Sequence, residues 1–414
     1  MKQEKFYQTV HNHICDIMPK IRKPAVGKYP APYLTVTWGS FYAMIFGWDN
    51  HHMSLRFAAD GEICEMKYYL MNMLTFQDAD GFTPNCSSQD GGWEPKRKFH
   101  AQPYLAQNAA IYYSLSKDAE FVKSIYPKLE AYLAYYFREM HCENGLYCWR
   151  KTYMSGIDNE ISGTVFPLNT ILAADLNAWL VQECKAMAYL AENLSLPAGE
   201  YADKATKMTE AINTYLWDEE YGSYGNYNLA AKRVQISYGA DPLPGETGKY
   251  CFMSCVTFPL LYAGIVPEER AERMIRQYLI SEDHFLCDYG LRSLTKKSEF
   301  YSGAVWGNPP RFGEPEQLTL SNWQGPVWVI SNFFAIIGLA RYGFKKEAVL
   351  VTERLLKNMA FHIEKMGFMR ENYCGETGTP LYADYFASWN ILADLLPDFA
   401  AGNPPLNLFP WEKN

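Results

Sequence analysis

The lengths of the connections between predicted helices constrain this chain most. Apolar residues recurring at spacings of three and four predict about twelve helices, near 2–16, 49–58, 61–78, 103–116, 118–140, 169–193, 197–216, 250–264, 267–279, 325–343, 344–360 and 384–396. Short turns such as Asp60-Gly61 and "RYGF" alternate with long connections. The long connections are 17–48, 79–102, 141–168, 217–249, 280–324 and 361–383. Strand-like alternation is scarce and confined to the connections.

This alternation predicts a closed all-α architecture. If consecutive helices run antiparallel, all six long loops lie on one face and the short turns on the other. Six helical hairpins of this kind close into an (α/α)6 barrel, or toroid, with one ring of helices inside another. No linker divides the chain, so we expect a single catalytic domain over 1–414. Long loops in a compact domain usually carry function, so the active site is expected on their face.

Composition narrows the classes of partner. The 414 residues carry a net charge of −8 and no Lys/Arg block, which argues against nucleic acid and against an anionic membrane surface. The N-terminus shows no signal peptide, and no apolar run is long enough to span a bilayer. The ten cysteines contain no C-x-x-C pair, which favours reduced thiols and a cytoplasmic location. We expect a small carbohydrate partner; the oligomeric state is not determined by the sequence.

Aromatic residues and acids meet in the long loops. Aromatics make up 16% of the chain, with 11 Trp and 31 Tyr. Packing alone accounts for many of them, but flat amphipathic rings also cover the faces of sugars. Three loops each bring an acid with Gly and aromatic neighbours: Asp49 in "GWDNHH", Asp158 in "YMSGIDNE" and Glu371 in "FMRENYCGETG". Singly, a helix cap, an Asx turn or a solvated loop explains each acid. Together they suit glycoside hydrolysis, which needs a carboxylic acid and a second carboxylate.

Other chemistries find less support. The loops hold neither phosphate-binding Gly-rich motif and no H-E-x-x-H. His51 and His52 are adjacent and would point to different faces of a helix, so they make a poor metal pair. We therefore expect no metal and no organic cofactor.

The motifs "ENGLYCWRKTYMSGIDN", "SNWQGPVWVISNFFAIIGLARYGF" and "FMRENYCGETG" resemble the signatures of glycoside hydrolase family 63 and its trehalase relatives in family 37. The resemblance runs from Trp48 onward and is strongest at N-W-x-G-P-V-W. It implies an (α/α)6 barrel and an inverting hydrolase of an α-glycosidic bond, with an α-glucoside preferred. Asp158 would be the general acid and Glu371 the general base.

The same resemblance assigns the substrate contacts. Trp48 and Asp49 would hold the nonreducing sugar. The resemblance also implies substrate contacts at Gln102, Trp323, Gln324 and Trp328. The residues themselves add Gly156 and Gly325 as expected substrate-binding positions. Gly156 would let the backbone approach a ligand closely. The sequence departs from larger relatives at Gln324, where Arg is common, and at Glu160, where a small residue is usual.

Several alternatives stay open. The length resembles the compact mannosylglycerate and glucosylglycerate hydrolases, and a trehalase is a further candidate. An (α/α)6 sugar epimerase ranks lower, because those enzymes use paired histidines. A non-catalytic sugar-binding protein also ranks lower, because both carboxylates are present. Glu376 is expected at a turn, where it could order the loop that positions Glu371.

Overall fold

The structure is a computed structural model that describes residues 1–39, 44–90, 99–150, 154–197, 199–237, 249–303 and 321–412. The α-helices of these residues are α1 (Lys5–Ile21), α2 (Gly47–Ala59), α3 (Cys64–Thr75), α4 (Leu105–Ser116), α5 (Ala119–Glu139), α6 (Ile161–Val165), α7 (Ala174–Leu194), α8 (Tyr201–Tyr215), α9 (Phe258–Tyr262), α10 (Glu268–Met274), α11 (Val329–Arg341), α12 (Lys345–Met366) and α13 (Leu396–Ala401). A π turn, Ile275–Leu279, extends α10, and a 3-10 segment, Ser388–Leu395, precedes α13.

The helices form two concentric rings. The inner ring consists of α2, α4, α7, α9, α11 and the 3-10 segment with α13, and most residues of each of these elements are buried. The outer ring consists of α1, α3, α5, α8, α10 and α12, which bury one side only. This arrangement is the (α/α)6 barrel that the alternation of loops predicts. No helix in the described ranges is long and apolar enough to span a bilayer.

Polar contacts join neighbouring inner helices and close the inner ring. Asn108 on α4 donates to Ser54 Oγ on α2 at 3.0 Å. Where the last inner element meets the first, Arg56 of α2 forms a bidentate pair with Asp394, Nε to Oδ1 at 2.8 Å and Nη2 to Oδ2 at 2.9 Å. Both side chains are 1% exposed. The chain therefore joins its first and last helical pairs through a buried ion pair.

The strands are short and lie in the connections. They are β1 (Arg22–Lys23), β2 (Tyr33–Leu34), β3 (Met44–Phe46), β4 (Cys86–Ser88), β5 (Ile171–Leu172), β6 (Trp217–Asp218), β7 (Ser223–Tyr224), β8 (Tyr227–Asn228), β9 (Arg233–Val234), β10 (Leu286–Cys287), β11 (Gly290–Leu291), β12 (Val327–Trp328) and β13 (Asn372–Tyr373). All pairings are antiparallel: β1 with β2, β3 with β4, β5 with β8, β8 with β9, β6 with β7, β10 with β11 and β12 with β13.

The β12–β13 pair is the one that positions the site. Its register sets Val327 opposite Tyr373 and Trp328 opposite Asn372. It therefore joins the loop that enters α11 to the loop that carries Glu371. Each long loop leads into an inner helix, so the N-terminal ends of all six inner elements lie on the loop face.

Two predicted helices begin well after the start of their apolar patterns. In the predicted helix 384–396 the structure has the 3-10 segment Ser388–Leu395, and α13 begins only at Leu396. The sequence predicts a helix over 250–264, but α9 covers only Phe258–Tyr262 after a 3-10 turn, Cys255–Thr257. Ser254 forms a β-bridge with Leu294, which holds the preceding backbone extended. Pro259 lies in the first turn, where its missing N–H is tolerated.

Candidate active site

Glu371 lies at the base of a β-hairpin. Its N–H donates to Tyr382 O at 3.0 Å, and the ladder continues from Cys374 N to Thr379 O at 2.8 Å. The segment that reads as a polar loop is thus an ordered hairpin over 371–382, anchored through β13 to β12. The Glu371 side chain is 9% exposed, and no hydrogen bond from another described residue contributes to the pKa of its carboxyl group.

Three acids from three loops share one electrostatic environment. Asp49 is the third residue of α2, Asp158 lies in the loop before α6, and Glu371 opens the hairpin. Burial raises the pKa of Glu371 well above its usual value, and the negative charges of Asp158 and Asp49 raise it further. Burial and the charge of Asp158 raise the pKa of Asp49 to about 7. The structure therefore brings together the three acids that the sequence singles out.

The pKa values of Asp49 and Glu371 are set mainly by burial and by the other acids. Within the described ranges, no Lys or Arg contributes to the pKa of Asp49 or of Glu371. Ser388 Oγ donates to Asp49 Oδ1 at 2.5 Å and partly offsets the cost of that charge. Because like charges in one site cannot all ionise together, the proton distribution belongs to the cluster rather than to any single acid.

Four tryptophans form a wall beside the acids. Trp323 and Trp328 stack with ring centroids 3.8 Å apart and planes 4° apart. Trp48 lies 5.9 Å from Trp323 and 5.3 Å from Trp389. The sequence singles out three of these rings; Trp389 joins them from the last inner element. All four tryptophans are buried, and Trp328 is fully so, with its Nε1 donating to Asn322 O at 2.9 Å. Trp328, expected at the substrate, thus packs behind Trp323 in this structure.

Gly156 makes its close approach to this wall. Its φ is +82°, and a Cβ added there would overlap the six-membered ring of Trp48. A side chain is therefore excluded at this position by Trp48 as well as by the backbone conformation. Gly156 thereby presses the loop that carries Asp158 against the residue next to Asp49.

Asn159 links the loop of Asp158 to the loop that enters α11. Its Oδ1 accepts from Trp323 N at 2.6 Å, its Nδ2 donates to Asn322 Oδ1 at 2.9 Å, and its carbonyl accepts from Gln324 Nε2 at 2.9 Å. Gln324 is expected to touch the sugar, but one N–H of its side-chain amide is used to hold the Asp158 loop. Asn159 follows Asp158 in the S-G-x-D-N motif, and that adjacency was the available signal for its role.

Gln102 holds the same loop from the opposite side. Its Nε2 donates to Met154 O at 2.9 Å, and its main-chain carbonyl accepts from Tyr132 Oη at 2.6 Å. The side chain is 5% exposed, and Oε1 has no hydrogen-bond partner among the described residues. Gln102 therefore positions the acid loop and keeps one acceptor unused.

Gly325 lies just before the N-terminal end of α11, in a backbone conformation that favours glycine. Its φ is +147°, and a Cβ there would overlap Ser302 O. Its N–H donates to Ser293 Oγ at 3.2 Å. The expected mouth of the subsite is thus fixed against 293–302.

Two further acids, Asp175 and Glu160, share a small cavity with Asp158. Asp175, in the first turn of α7, accepts from Trp149 Nε1 at 3.1 Å, and burial raises its pKa to about 7. Glu160 caps α6 by accepting from Gly163 N at 3.0 Å. Both acids line a cavity of about 30 Å³ together with Asp158. Sequence reasoning noted Glu160 only as a departure and missed Asp175, which reads as an ordinary first-turn acid.

Glu376 lies at the tip of the hairpin and contrasts with Glu371. Its Oε1 accepts from Tyr301 Oη at 2.8 Å and from Arg292 Nη2 at 3.1 Å. Lys296 Nζ lies 3.5 Å from its Oε2. Burial favours a higher pKa, but the Tyr301 bond and the charges of Arg292 and Lys296 lower the pKa of Glu376 overall. A carboxylate held ionised in this way anchors the hairpin and makes a poor proton acceptor.

The adjacent histidines are structural. His52 Nδ1 contacts Trp48 O at 2.8 Å, and the His51 ring stacks on Tyr104 with centroids 4.8 Å apart. Burial lowers the pKa of His52 to about 3 and that of His51 well below its usual value. In the described part of the chain, no group of three or more His, Cys, Asp or Glu side chains could hold a metal ion.

Residues 42–389 match the family described as the mannosylglycerate hydrolase MGH1-like glycoside hydrolase domain. The chain belongs to this glycoside hydrolase family. The match covers all the expected site residues and confirms the resemblance to family 63 drawn from the motifs.

Relatives of this MGH1-like glycoside hydrolase include both types of enzyme that the motifs suggest. It is 28% identical over 181 residues to a mannosylglycerate hydrolase of Rubrobacter radiotolerans, which is 44% of this chain and 34% of that protein. It is 27% identical over 213 residues to a periplasmic trehalase of Citrobacter koseri, which is 51% of this chain and 31% of that protein. The chain thus spans about a third of the length of these relatives.

Solved structures agree on the fold. The GH63 mannosylglycerate hydrolase of Thermus thermophilus in complex with glucose matches with a TM-score of 0.67 and 19% identity, over 93% of this chain and 99% of that chain. A neutral trehalase of Saccharomyces cerevisiae matches with a TM-score of 0.64 and 16% identity, over 91% and 76%. At these identities the likeness establishes the (α/α)6 fold.

Proposed function

We propose that this chain hydrolyses an α-glycosidic bond of a small di- or oligosaccharide, or of a glycosylated small molecule, with inversion at the anomeric carbon. The observation that carries the proposal is the set of three mutually repelling acids, Asp49, Asp158 and Glu371, beside the stacked tryptophans. An α-glucoside is the preferred substrate. The relatives named above make trehalose and mannosylglycerate the first alternatives. The whole chain, as one barrel in the cytoplasm, is proposed to carry this activity.

The negative charges of the three acids favour a neutral sugar beside them. Whenever these carboxyl groups are ionised, they would repel a carboxylate or phosphate placed next to them. Asp49 would accept hydrogen bonds from sugar hydroxyls. Gln102 Oε1 has no partner among the described residues and would accept a hydrogen bond from another sugar hydroxyl.

The proposed mechanism divides the acids by role. Asp158, partly exposed and held by its loop against Trp48, would protonate the glycosidic oxygen as the bond breaks. Glu371 would take a proton from the water that attacks the anomeric carbon. When Asp158 holds its proton, one of the two charges that raise the pKa of Glu371 is absent, so Glu371 ionises more easily. The productive state therefore has a protonated Asp158 facing an ionised Glu371.

The first test replaces each proposed catalytic acid. Asp158→Asn and Glu371→Gln should each lower kcat by about 10²- to 10⁴-fold, which is the usual contribution of general acid–base catalysis. Thermal unfolding should show that both variants fold. Glu299→Gln, which changes an exposed glutamate between α10 and α11, is the matched control and should leave kcat unchanged. Near-normal turnover in either acid variant would contradict the assignment.

The second test identifies substrate and stereochemistry together. A panel of α-glucosides and α-mannosides, including trehalose and mannosylglycerate, should contain one compound hydrolysed well above the rest. Proton NMR during that reaction should show the β-anomer forming first. Inversion further requires the Asp158 and Glu371 carboxyl groups about 6.5–9.5 Å apart, leaving room for a water. Initial release of the α-anomer would overturn the inverting mechanism, and sugar binding without hydrolysis would favour a non-catalytic role.

A further inference from the structure

Two cysteine thiols meet on a hairpin outside the proposed catalytic machinery. Cys142 and Cys148 lie on either side of a 3-10 turn, Glu143–Gly145, in the loop between α5 and α6. Their Sγ atoms are 2.7 Å apart. Cys148 is fully buried and Cys142 is 8% exposed. Among the ten free cysteines, this pair has its two sulfur atoms in contact.

The backbone holds these two residues in place. Cys142 N donates to Leu146 O at 2.9 Å, and Cys148 N donates to Met140 O at 3.1 Å, with a β-bridge between His141 and Tyr147. Successive alternate residues of an antiparallel pair share one face, so the two cysteine side chains point to the same side. The ladder thus maintains the contact between the thiols independently of any sulfur–sulfur bond.

We propose that Cys142 and Cys148 form a modification site, in which a small-molecule disulfide such as glutathione disulfide converts the thiol pair into a reversible intramolecular disulfide. A disulfide has a sulfur–sulfur distance of about 2.05 Å. Reaching it from the present contact requires the sulfur atoms to move by less than about 1 Å.

The two sulfurs have different chemical roles. The hydrogen bond from Cys148 lowers the pKa of Cys142, and the charge of Arg150 favours the same direction. The hydrogen bond to Cys142 and burial raise the pKa of Cys148. The Cys142 thiolate therefore attacks glutathione disulfide, forming a mixed disulfide and releasing one glutathione. Cys148 loses its proton and attacks Cys142 Sγ, releasing the second glutathione, so that two protein thiols are oxidised and one small disulfide is reduced.

The bond would strengthen a support of the acid cluster. Trp149 follows Cys148 directly, and its indole donates to Asp175 in the cavity shared with Asp158. Arg150 Nε and Nη2 donate to Glu139 O at 2.7 Å and His141 O at 2.8 Å, which ties the end of the hairpin to its start. A disulfide here would raise the melting temperature without displacing Trp149. It makes no use of the proposed hydrolytic activity.

The test uses the full chain, reduced and then equilibrated with mixtures of reduced and oxidised glutathione. Both cysteines fall in one tryptic peptide, Glu139–Arg150, because cleavage follows Arg138 and Arg150. After acid quenching and alkylation, the oxidised peptide should be unalkylated and lighter by two hydrogen atoms. Cys251 and Cys255, both buried, serve as internal controls. They should remain thiols during the glutathione treatment and therefore be fully alkylated when the quenched protein is denatured. Dithiothreitol should restore alkylation of the pair and return the melting temperature to its reduced value.

Single variants separate this site from general thiol oxidation. Cys148→Ser should trap one glutathione on Cys142, because the resolving thiol is gone. Cys142→Ser should leave Cys148 unmodified, because the remaining thiol is buried and its pKa is raised. The proposal fails if the wild-type peptide stays fully alkylated in oxidised glutathione, or if the bond forms only in denaturant.

Discussion

Asp49→Asn should stabilise the protein, and more strongly at high pH than at low pH. Asp49 sits in the first turn of α2, and its Oδ1 accepts from Ser388 Oγ at 2.5 Å. Asparagine keeps the shape and an oxygen acceptor but carries no charge. Burial, with the added charge of Asp158, raises the pKa of Asp49 from 3.8 to about 7. At high pH the wild-type protein therefore carries a negative charge on Asp49 that destabilises the folded state.

The sign and size follow from the linkage between protonation and folding. Because the folded pKa is above the unfolded one, the folded state binds more protons, and stability falls as pH rises from 3.8 to about 7. Between about pH 5 and about pH 7 this range covers two pH units, so the free energy of unfolding falls by about 2.7 kcal/mol. Asp49 keeps partial exposure, so solvent screening reduces the expected difference to about 2 kcal/mol. Loss of the Asp49 charge also lowers the pKa of Glu371, which acts in the same direction.

Urea unfolding at about pH 5 and about pH 8 measures this difference. The free energy gained by Asp49→Asn should be about 2 kcal/mol larger at the higher pH. Asp288→Asn, which changes an exposed aspartate outside the site, is the control and should show no such pH dependence. Equal effects of Asp49→Asn at both pH values, or a larger gain at low pH, would refute the reasoning.

Three further substitutions test how the site and the barrel are held. Gly156→Ala should lower kcat/KM by about 10²-fold, because its methyl group would displace Trp48 or the acid loop, and steady-state kinetics measures this. Glu376→Gln should lower kcat more than it raises KM, because Arg292 loses a charged partner and the hairpin of the proposed base loosens; an unchanged kcat would contradict the anchoring role. Asp394→Ala should destabilise the fold by about 3 kcal/mol in urea unfolding, the low end of the range for breaking a buried pair, because Arg56 loses its bidentate partner but keeps its ion pair with Asp60.

The sequence predicts the barrel well because its main signals are local. Apolar spacing locates helices wherever a face is buried, and loop length tells which ends meet. The prediction is weaker where a tertiary contact competes with the local pattern. Ser254 joins Leu294 in a β-bridge and shortens α9, and Ser388–Leu395 adopts a 3-10 conformation before α13. The spacing of apolar residues predicts neither the bridge nor the 3-10 conformation.

The site is partly readable for the same reason. Asp49, Asp158 and Glu371 stand out because Gly and aromatic neighbours surround them in long loops. The residues that hold them do not stand out, since their partners are far away in the sequence. Asn159 bonds to Asn322 across 163 residues, and Ser388 reaches Asp49 across 339. One asparagine or serine in a loop looks the same with or without such a partner.

The barrel topology itself explains why acids collect on this face. Every inner helix presents its N-terminal end there, where free N–H groups and the helix dipole favour negative charge. Asp49 and Asp175 both occupy first turns, in α2 and α7. This stabilisation is worth about 0.3–2 kcal/mol. The rise of each pKa from 3.8 to about 7 corresponds to about 4 kcal/mol, so burial outweighs the dipole. The fold thus makes buried acids tolerable but leaves them ready to hold protons near neutral pH, which is what an acid–base site requires. Substrate choice must then come from the loops above these helix ends, since the helix ends act on charge rather than on sugar identity.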